Sequence, residues 1–149
     1  MKVIGVDPGT AKSAWVVLEV SHAGMRVSEH GYVDNDDLLH KLRAMGRDDF
    51  AGVGVERIQS QGRRYVGNET FLTAEMAGRI LEACYPVPAA PISRRKVTGH
   101  LCGASCGDAG VREALIARRD LDCGSVSNHG WSALGVAVTY VEAVAGVRG

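Results

Sequence analysis

The chain has 149 residues, which gives room for one compact domain and leaves none for a second. Hydrophobic residues make up 46% of the sequence and charged residues 23%, which excludes a disordered or collagen-like chain. The 17 basic and 17 acidic residues cancel, which argues mildly against a nucleic-acid binder, although the distribution of charge matters more than its sum. We therefore predict a single domain over residues 1–149.

The first third of the chain predicts a meander of strands followed by a helix. Runs of apolar and β-branched residues indicate two strands, and looser alternation indicates a third that pairs antiparallel with the second. These strands are residues 3–6, 14–20 and 26–33. Asp34 or Asp36 is placed to cap a helix that runs to about Met45.

The remainder of the chain predicts two further strands and four helices. The strands are residues 52–56, with two glycines, and a short segment within 86–92, where three prolines favour a sheet edge. The helices are residues 70–83, 94–102, 108–118 with Asp108 as N-cap, and the strongly apolar 131–147. This order predicts an α/β fold whose five-stranded sheet carries helices on both faces.

Two acids stand at the ends of apolar strands. Asp7 follows Ile4-Gly5-Val6, and Glu56 follows Val53-Gly54-Val55. A buried carboxylate is costly unless it is paired, hydrogen-bonded or bound to a cation, and two of them at one sheet edge would suit Mg²⁺ or Mn²⁺. The alternatives are an Asx-turn for Asp7 and a surface salt bridge for Glu56.

His129 and Ser132 lie three residues apart at the start of the last predicted helix, so both project from one face. That helix begins beside the sheet if its apolar side covers the sheet. The alternative is that His129 is a surface or capping residue.

Basic residues are segregated from acidic ones. Segments 57–66 and 93–102 each contain three Lys or Arg and no carboxylate, which favours a basic surface on one side. Arg63, Arg64 and Tyr65 combine two charges with a ring that can stack on an unpaired base, although an ordinary solvated loop explains them equally well.

The four cysteines are interpreted as buried or free thiols and not as disulfides, because no export signal is apparent. Cys84 and Cys102 are predicted to lie in the core. A zinc site from His100, Cys102, Cys106 and Cys123 is an alternative, but its spacing lacks the paired Cys-x₂-Cys ends of usual structural sites.

The residues before Asp7 form no long apolar segment, and no run reaches the ~20 apolar residues that span a bilayer. We expect a cytoplasmic protein without a signal peptide or membrane partner.

Four segments together resemble RuvC-type Holliday-junction resolvases of the RNase H-like superfamily, and most closely the small phage- and prophage-type branch. They are Ile4 to Thr10, Val55 to Gly62 with Phe71 and Gly78-Arg79, Arg95 to Arg112, and His129 with Ala133 to Ala137. They follow the family's order and span almost the whole chain.

The resemblance implies an RNase H-like fold with a mixed five-stranded sheet, and a divalent-metal-dependent endodeoxyribonuclease. Asp7, Glu56 and His129 would bind Mg²⁺ or Mn²⁺, with Ser132 as a further catalytic residue beside them. Arg94, Arg95 and Lys96 would contact DNA phosphates, and Arg112 falls in the segment that would face the DNA. The implied substrate is branched DNA, a four-way junction nicked symmetrically in a bacterial or phage-infected cell.

The sequence departs from the family at two places. Ser132 stands where a fourth acid is usual, and Thr98 and Gly107 stand where lysines are usual. These departures leave open a catalytically weak or silent junction-binding protein. A phosphotransferase of the actin and sugar-kinase type is a further alternative, because Asp7-Pro8-Gly9-Thr10 resembles its phosphate loop, but that mechanism uses two domains.

A junction has approximate two-fold symmetry, so cutting opposite strands calls for a homodimer. The predicted interface is the helix 70–83, through Phe71, Leu72, Met76 and Ile80. The alternative is that these side chains bury in their own core.

Overall fold

The computed structural model describes residues 1–58, 66–103 and 106–146. Within these ranges six strands form one sheet. They are β1 (Lys2–Asp7), β2 (Lys12–Ser21), β3 (Gly24–Asp34), β4 (Gly52–Arg57), β5 (Ala89–Ser93) and β6 (Leu121–Asp122). The spatial order is β5-β4-β1-β2-β3-β6. The prediction of five strands is therefore one short: β6, only two residues long, pairs with the start of β3.

Five helices accompany the sheet. They are α1 (Asn35–Arg43), α2 (Asn68–Ala83), α3 (Arg94–Cys102), α4 (Asp108–Ile116) and α5 (Gly130–Ala143). Two predicted ends are wrong. Gly107 is the N-cap of α4, because the Asp108 carboxylate pairs with Arg94 and does not fold back on its own helix. Helix α5 ends at Ala143, just before Gly146 takes a left-handed backbone conformation (φ 69°).

The sheet is mixed, as predicted. Strand β2 pairs antiparallel with β1 and β3, whereas β4 runs parallel to β1 and β5. In the β1–β4 register Val6 lies opposite Val55. The residues that follow them, Asp7 and Glu56, therefore emerge side by side at one edge of the sheet.

Helices cover both faces of the sheet. On one face α3, α4 and α5 pack on Val3, Val16 and Leu18, and on the other α1 and α2 pack on side chains such as Ile4 and Val55. Of the described helices, none has the length and apolarity to cross a membrane.

Glycines in β1 and β4 allow α5 to lie directly on the sheet. A Cβ atom on Gly5 would overlap the backbone of α5, at 2.7 Å from the nitrogen of Ala137. One on Gly54 would lie 3.0 Å from Cγ1 of Val136. Because side chains alternate along a strand, the positions that follow on this face are Asp7 and Glu56. The glycines thus bring the start of α5 against the two acids.

The cysteine prediction is wrong for one pair. Cys102 and Cys106 form a disulfide, since their Cα atoms lie 6.4 Å apart between the end of α3 and the start of α4. Cys84 is buried, as predicted, and is a free thiol, as is the half-buried Cys123. Cys102 is half-buried and packs against the core.

The zinc alternative is not supported. The sulfur atoms of Cys102 and Cys106 bond to each other, and His100 Nε2 lies 2.6 Å from a carboxylate oxygen of Glu142. Across the parts of the chain described, no three His, Cys, Asp or Glu side chains cluster as a metal site.

Candidate active site

The turn after Asp7 is fixed by side chains from β2 and α1. The Asn35 amide donates to the Gly9 carbonyl at 3.0 Å, and the Ser13 hydroxyl donates to the Asn35 side-chain oxygen at 2.6 Å. The Gly9 amide donates to the Ser13 hydroxyl at 3.2 Å. These largely buried bonds hold the turn, and with it the carboxylate at the end of β1.

Glu56 is held by the first turn of α5. The Ser132 hydroxyl donates to Oε2 of Glu56 at 2.6 Å. The Glu56 side chain is only 12% exposed, so the surface salt bridge considered from the sequence does not describe it. Asp7 also lies within interaction distance of Ser132 and Glu56.

Burial and mutual repulsion make both carboxylates hard to ionise. Burial, with a further contribution from the negative charge of Glu56, raises the pKa of Asp7 to about 7. Burial also raises the pKa of Glu56. The Ser132 hydroxyl and the Arg94 guanidinium oppose these shifts without cancelling them. The pair therefore gains from a proton or a bound cation near neutral pH.

Arg94, predicted to contact DNA, points into this site. Its Nη1 donates to the Ser132 hydroxyl at 3.0 Å and lies 3.8 Å from Oε2 of Glu56. Its Nη2 pairs with the carboxylate of Asp108. The side chain starts from the first residue of α3 and is 23% exposed.

His129 stands on the other side of the same cleft. It is the N-cap residue of α5, and its ring stacks on Tyr32 with centroids 4.0 Å apart and planes within 9°. The ammonium of Lys12 lies 5.9 Å from the Tyr32 ring centroid. The cleft has a volume of about 270 Å³, and both Asp7 and His129 line it.

Strand register sets the separation between Asp7 and Tyr32, the residue on which the His129 ring stacks. Asp7 lies opposite Ala14 on β2, and Ala14 lies opposite Tyr32 on β3. Since neighbouring strands are about 4.8 Å apart, the backbone of Tyr32 lies roughly two strand spacings, about 10 Å, across the sheet from that of Asp7. The small side chain of Ala14 forms the floor between them.

The donor set fits a divalent cation at Asp7 and Glu56. Two neighbouring carboxylates with raised pKa supply oxygen ligands, and Mg²⁺ commonly uses one or two carboxylates and completes its shell with water and phosphate oxygens. His129 does not join them in a three-ligand cluster within the described residues. Its role as a third ligand stays a prediction.

The other predicted DNA contacts are distributed around this edge. Arg95 and Lys96 are exposed on α3. Arg112 is exposed on α4, with its guanidinium 5.2 Å from the Trp131 ring centroid. Arg63, Arg64 and Tyr65 lie outside the residues that the structure describes.

Sequence reasoning missed three residues of the cleft: Lys12, Tyr32 and Asp108. The signal for Tyr32 was its strand register, because a β2–β3 hairpin places it in the same row as Asp7. Asp108 was interpreted as a helix cap, within a segment that resembles the family's DNA-facing region. Nothing in the sequence distinguishes that role from a partner for Arg94.

No protein-family model matches the sequence, and no curated protein matches it. Solved structures do. The structure of Thermus thermophilus RuvC superposes with a TM-score of 0.73 at 19% identity, covering 98% of this chain and 97% of that one. The chain has the RuvC fold.

Two further structures with the RuvC fold agree. T. thermophilus RuvC in complex with a Holliday junction substrate gives a TM-score of 0.70 at 22% identity, covering 95% of this chain and 93% of that one. The yeast mitochondrial Holliday junction resolvase gives 0.65 at 10% identity, covering 93% and 78%. The resemblance inferred from the four sequence segments is confirmed in the fold.

Proposed function

We propose that this protein is a divalent-metal-dependent endodeoxyribonuclease that cleaves four-way DNA junctions as a homodimer. The observation that carries the proposal is the buried pair Asp7 and Glu56, which lies side by side at one edge of the sheet in a RuvC fold, with Asp7 lining the cleft. An RNase H-like nuclease needs such a pair, whereas a purely structural role leaves two buried acids in mutual repulsion unexplained.

Each group has a role that its position supports. Asp7 and Glu56 would hold Mg²⁺ or Mn²⁺, which when bound stabilises charge on the phosphate and activates water. Ser132 orients Glu56 through its 2.6 Å hydrogen bond. His129, on the far wall of the cleft, would bind the ion as a third ligand or accept a proton from water. Lys12, which lines the cleft, would bind the phosphate chain.

The basic residues on α3 and α4 would position the DNA. Arg95, Lys96 and Arg112 are exposed beside the cleft and would bind backbone phosphates without reading sequence. One of the neighbours was solved with a Holliday junction, which supports branched DNA as the substrate class. None of the neighbours described above is a phosphotransferase.

Helix α2 supports a homodimer through part of the predicted interface. Phe71 is 63% exposed and Leu72 is 44% exposed, whereas Met76 and Ile80 are buried in the protein's own core. We propose the first two as interface residues and assign the others to the fold.

The test is nicking of a synthetic four-way junction in Mg²⁺ or Mn²⁺. Asp7→Asn and Glu56→Gln keep size and shape and remove the charge, so we expect each to lower the cleavage rate by at least about 100-fold while junction affinity changes less than threefold. The reason is that the carboxylates act on the metal and not on the DNA.

A junction-binding protein without nuclease activity is the second candidate. It is favoured by the guanidinium of Arg94 inside the site and by Ser132 in place of an acid. If the wild-type protein binds the junction tightly but cuts it no faster than Asp7→Asn, this candidate replaces the nuclease.

A further inference from the structure

We propose that Arg94 is an internal counter-ion of the carboxylate site, and that a divalent metal ion must displace its guanidinium from Glu56 before it binds. The inference rests on the proposed metal-dependent function. The inference goes beyond that function because it names the group of this chain with which the metal ion competes.

The contacts of Arg94 show which groups it neutralises. One guanidinium nitrogen, Nη1, lies 3.0 Å from the Ser132 hydroxyl and 3.8 Å from Oε2 of Glu56. The other, Nη2, pairs with Asp108. The guanidinium therefore spans the space between the buried acid pair and an acid at the rim of the cleft.

Two cations cannot occupy this space without strong repulsion. Among the described residues, the only hydrogen bond to the Glu56 carboxylate comes from Ser132, which itself accepts from Arg94. A metal ion at Glu56 would lie within a few ångströms of the guanidinium in a half-buried site, where charges are poorly screened. A metal ion bound at Glu56 and the guanidinium of Arg94 in its present position therefore exclude each other.

The structure also supplies a place for the displaced side chain. The Asp108 side chain is 96% exposed, whereas that of Glu56 is 12% exposed. Arg94 can therefore turn outward on its flexible chain and keep an ion pair with Asp108. In that position it faces solvent, where a DNA phosphate can bind it.

The test is Mn²⁺ binding to the DNA-free protein, measured from the electron paramagnetic resonance signal of free Mn²⁺. Arg94→Gln removes the competing charge, and we expect it to bind Mn²⁺ about 10-fold more tightly than the wild type. Arg95→Gln is the matched control, because it removes the same charge from the next, exposed position of α3. Its Mn²⁺ affinity should stay within twofold of the wild type.

Arg94→Lys separates charge from shape and covers the case in which Arg94→Gln does not fold. A lysine keeps the positive charge, so we expect an Mn²⁺ affinity within threefold of the wild type. An Arg94→Lys protein that binds Mn²⁺ 10-fold more tightly would overturn the inference, because charge would then not be the cause.

The remaining outcomes separate this inference from the proposed function. If the wild type binds Mn²⁺ and Arg94→Gln binds it no more tightly, competition by Arg94 is refuted and the metal-dependent function stands. If Arg94→Gln binds Mn²⁺ and the wild type does not, the inference is upheld. If neither protein binds millimolar Mn²⁺, the metal-dependent function fails and the inference falls with it.

Discussion

At the scale of single residues, Asp7 links the site to pH. Its pKa rises from the ordinary 3.8 to about 7 in the folded protein without metal. The folded state therefore binds the proton more tightly than the unfolded chain, so this contribution to stability is fully present below about pH 4 and is lost as the pH rises through 7.

We predict that Asp7→Asn removes this dependence. The difference in the free energy of unfolding, wild type minus Asp7→Asn, should fall by about 2 kcal/mol between pH 5 and pH 8. Urea denaturation in the presence of a chelator measures the free energy of unfolding of both proteins. Subtracting one value from the other removes the opposite contribution of acids that both proteins share. Glu142 is one of them, because Arg118 and His100 lower its pKa despite its burial. A difference that does not change with pH would contradict the burial of this charge.

Ser132 offers a second prediction at this scale. Ser132→Asp places a third carboxylate beside Glu56, where it can bind the metal directly. We expect the Mn²⁺ concentration for half-maximal junction nicking to fall about 10-fold. Ser132→Asn has the same shape without the charge and is the control. Equal metal dependence of the two variants would show that the fourth ligand position is unimportant.

The residues also show how far sequence reasoning reaches. Acids at the ends of apolar strands identified Asp7 and Glu56, because burial of a charge is costly wherever the fold places it. Arg94 was assigned to DNA because composition shows that a helix end is basic but not which way a long side chain turns. That direction depends on Asp108 and Ser132, which are close to it only in the folded chain.

At the scale of elements, the packing of α5 on β1 is the contact that builds the site. Gly5→Ala would drive a Cβ atom into the backbone of α5, 2.7 Å from the nitrogen of Ala137. We expect a loss of about 3 kcal/mol in the free energy of unfolding, because a helix backbone cannot yield as a flexible side chain can. Urea denaturation measures the loss.

The control is Gly78→Ala in α2, where an added Cβ meets no atom within 4 Å. Alanine favours the helix, so stability should stay the same or rise by up to about 1 kcal/mol. If both substitutions have equal effects, the close approach of α5 is not what Gly5 permits.

The prediction of strands and helices succeeded where an apolar pattern extends over many residues. It failed where an element consists of only a few residues. Strands β1 to β5 and all five helices follow from apolar patterns and capping residues. Strand β6 has only two residues, too few for any pattern, and exists because β3 offers it an edge. The disulfide between Cys102 and Cys106 was missed for a related reason, since reasoning from cell compartment ignored their closeness along the chain.

At the scale of the whole molecule, the proposed dimer depends on the exposed end of α2. Phe71→Asp places a charge where Phe71 is now 63% exposed. We expect a folded monomer by sedimentation velocity, with junction cleavage slowed at least about 10-fold, because one subunit cannot hold both strands.

Tyr85→Asp is the control for that prediction. Tyr85 is 82% exposed beyond the other end of α2, about 20 Å from Phe71 along the helix. It should leave the protein dimeric. If both substitutions dissociate the dimer, or if neither does, the proposed interface at the first turn of α2 is contradicted.

The fold as a whole was predictable because its order of strands and helices permits few topologies. The RuvC resemblance selected one of these topologies, and the solved structures agree with it at the level of the fold. The arrangement of His129 was not predictable, because its stack on Tyr32 depends on a register across three strands.

That register gives Ala14 an importance out of proportion to its size. It is the one side chain between Asp7 and Tyr32 in their row across the sheet. A leucine there would fill the floor of the cleft. Under the proposed function, the space for a sugar–phosphate chain between Asp7 and Tyr32 therefore depends on a single methyl group on β2.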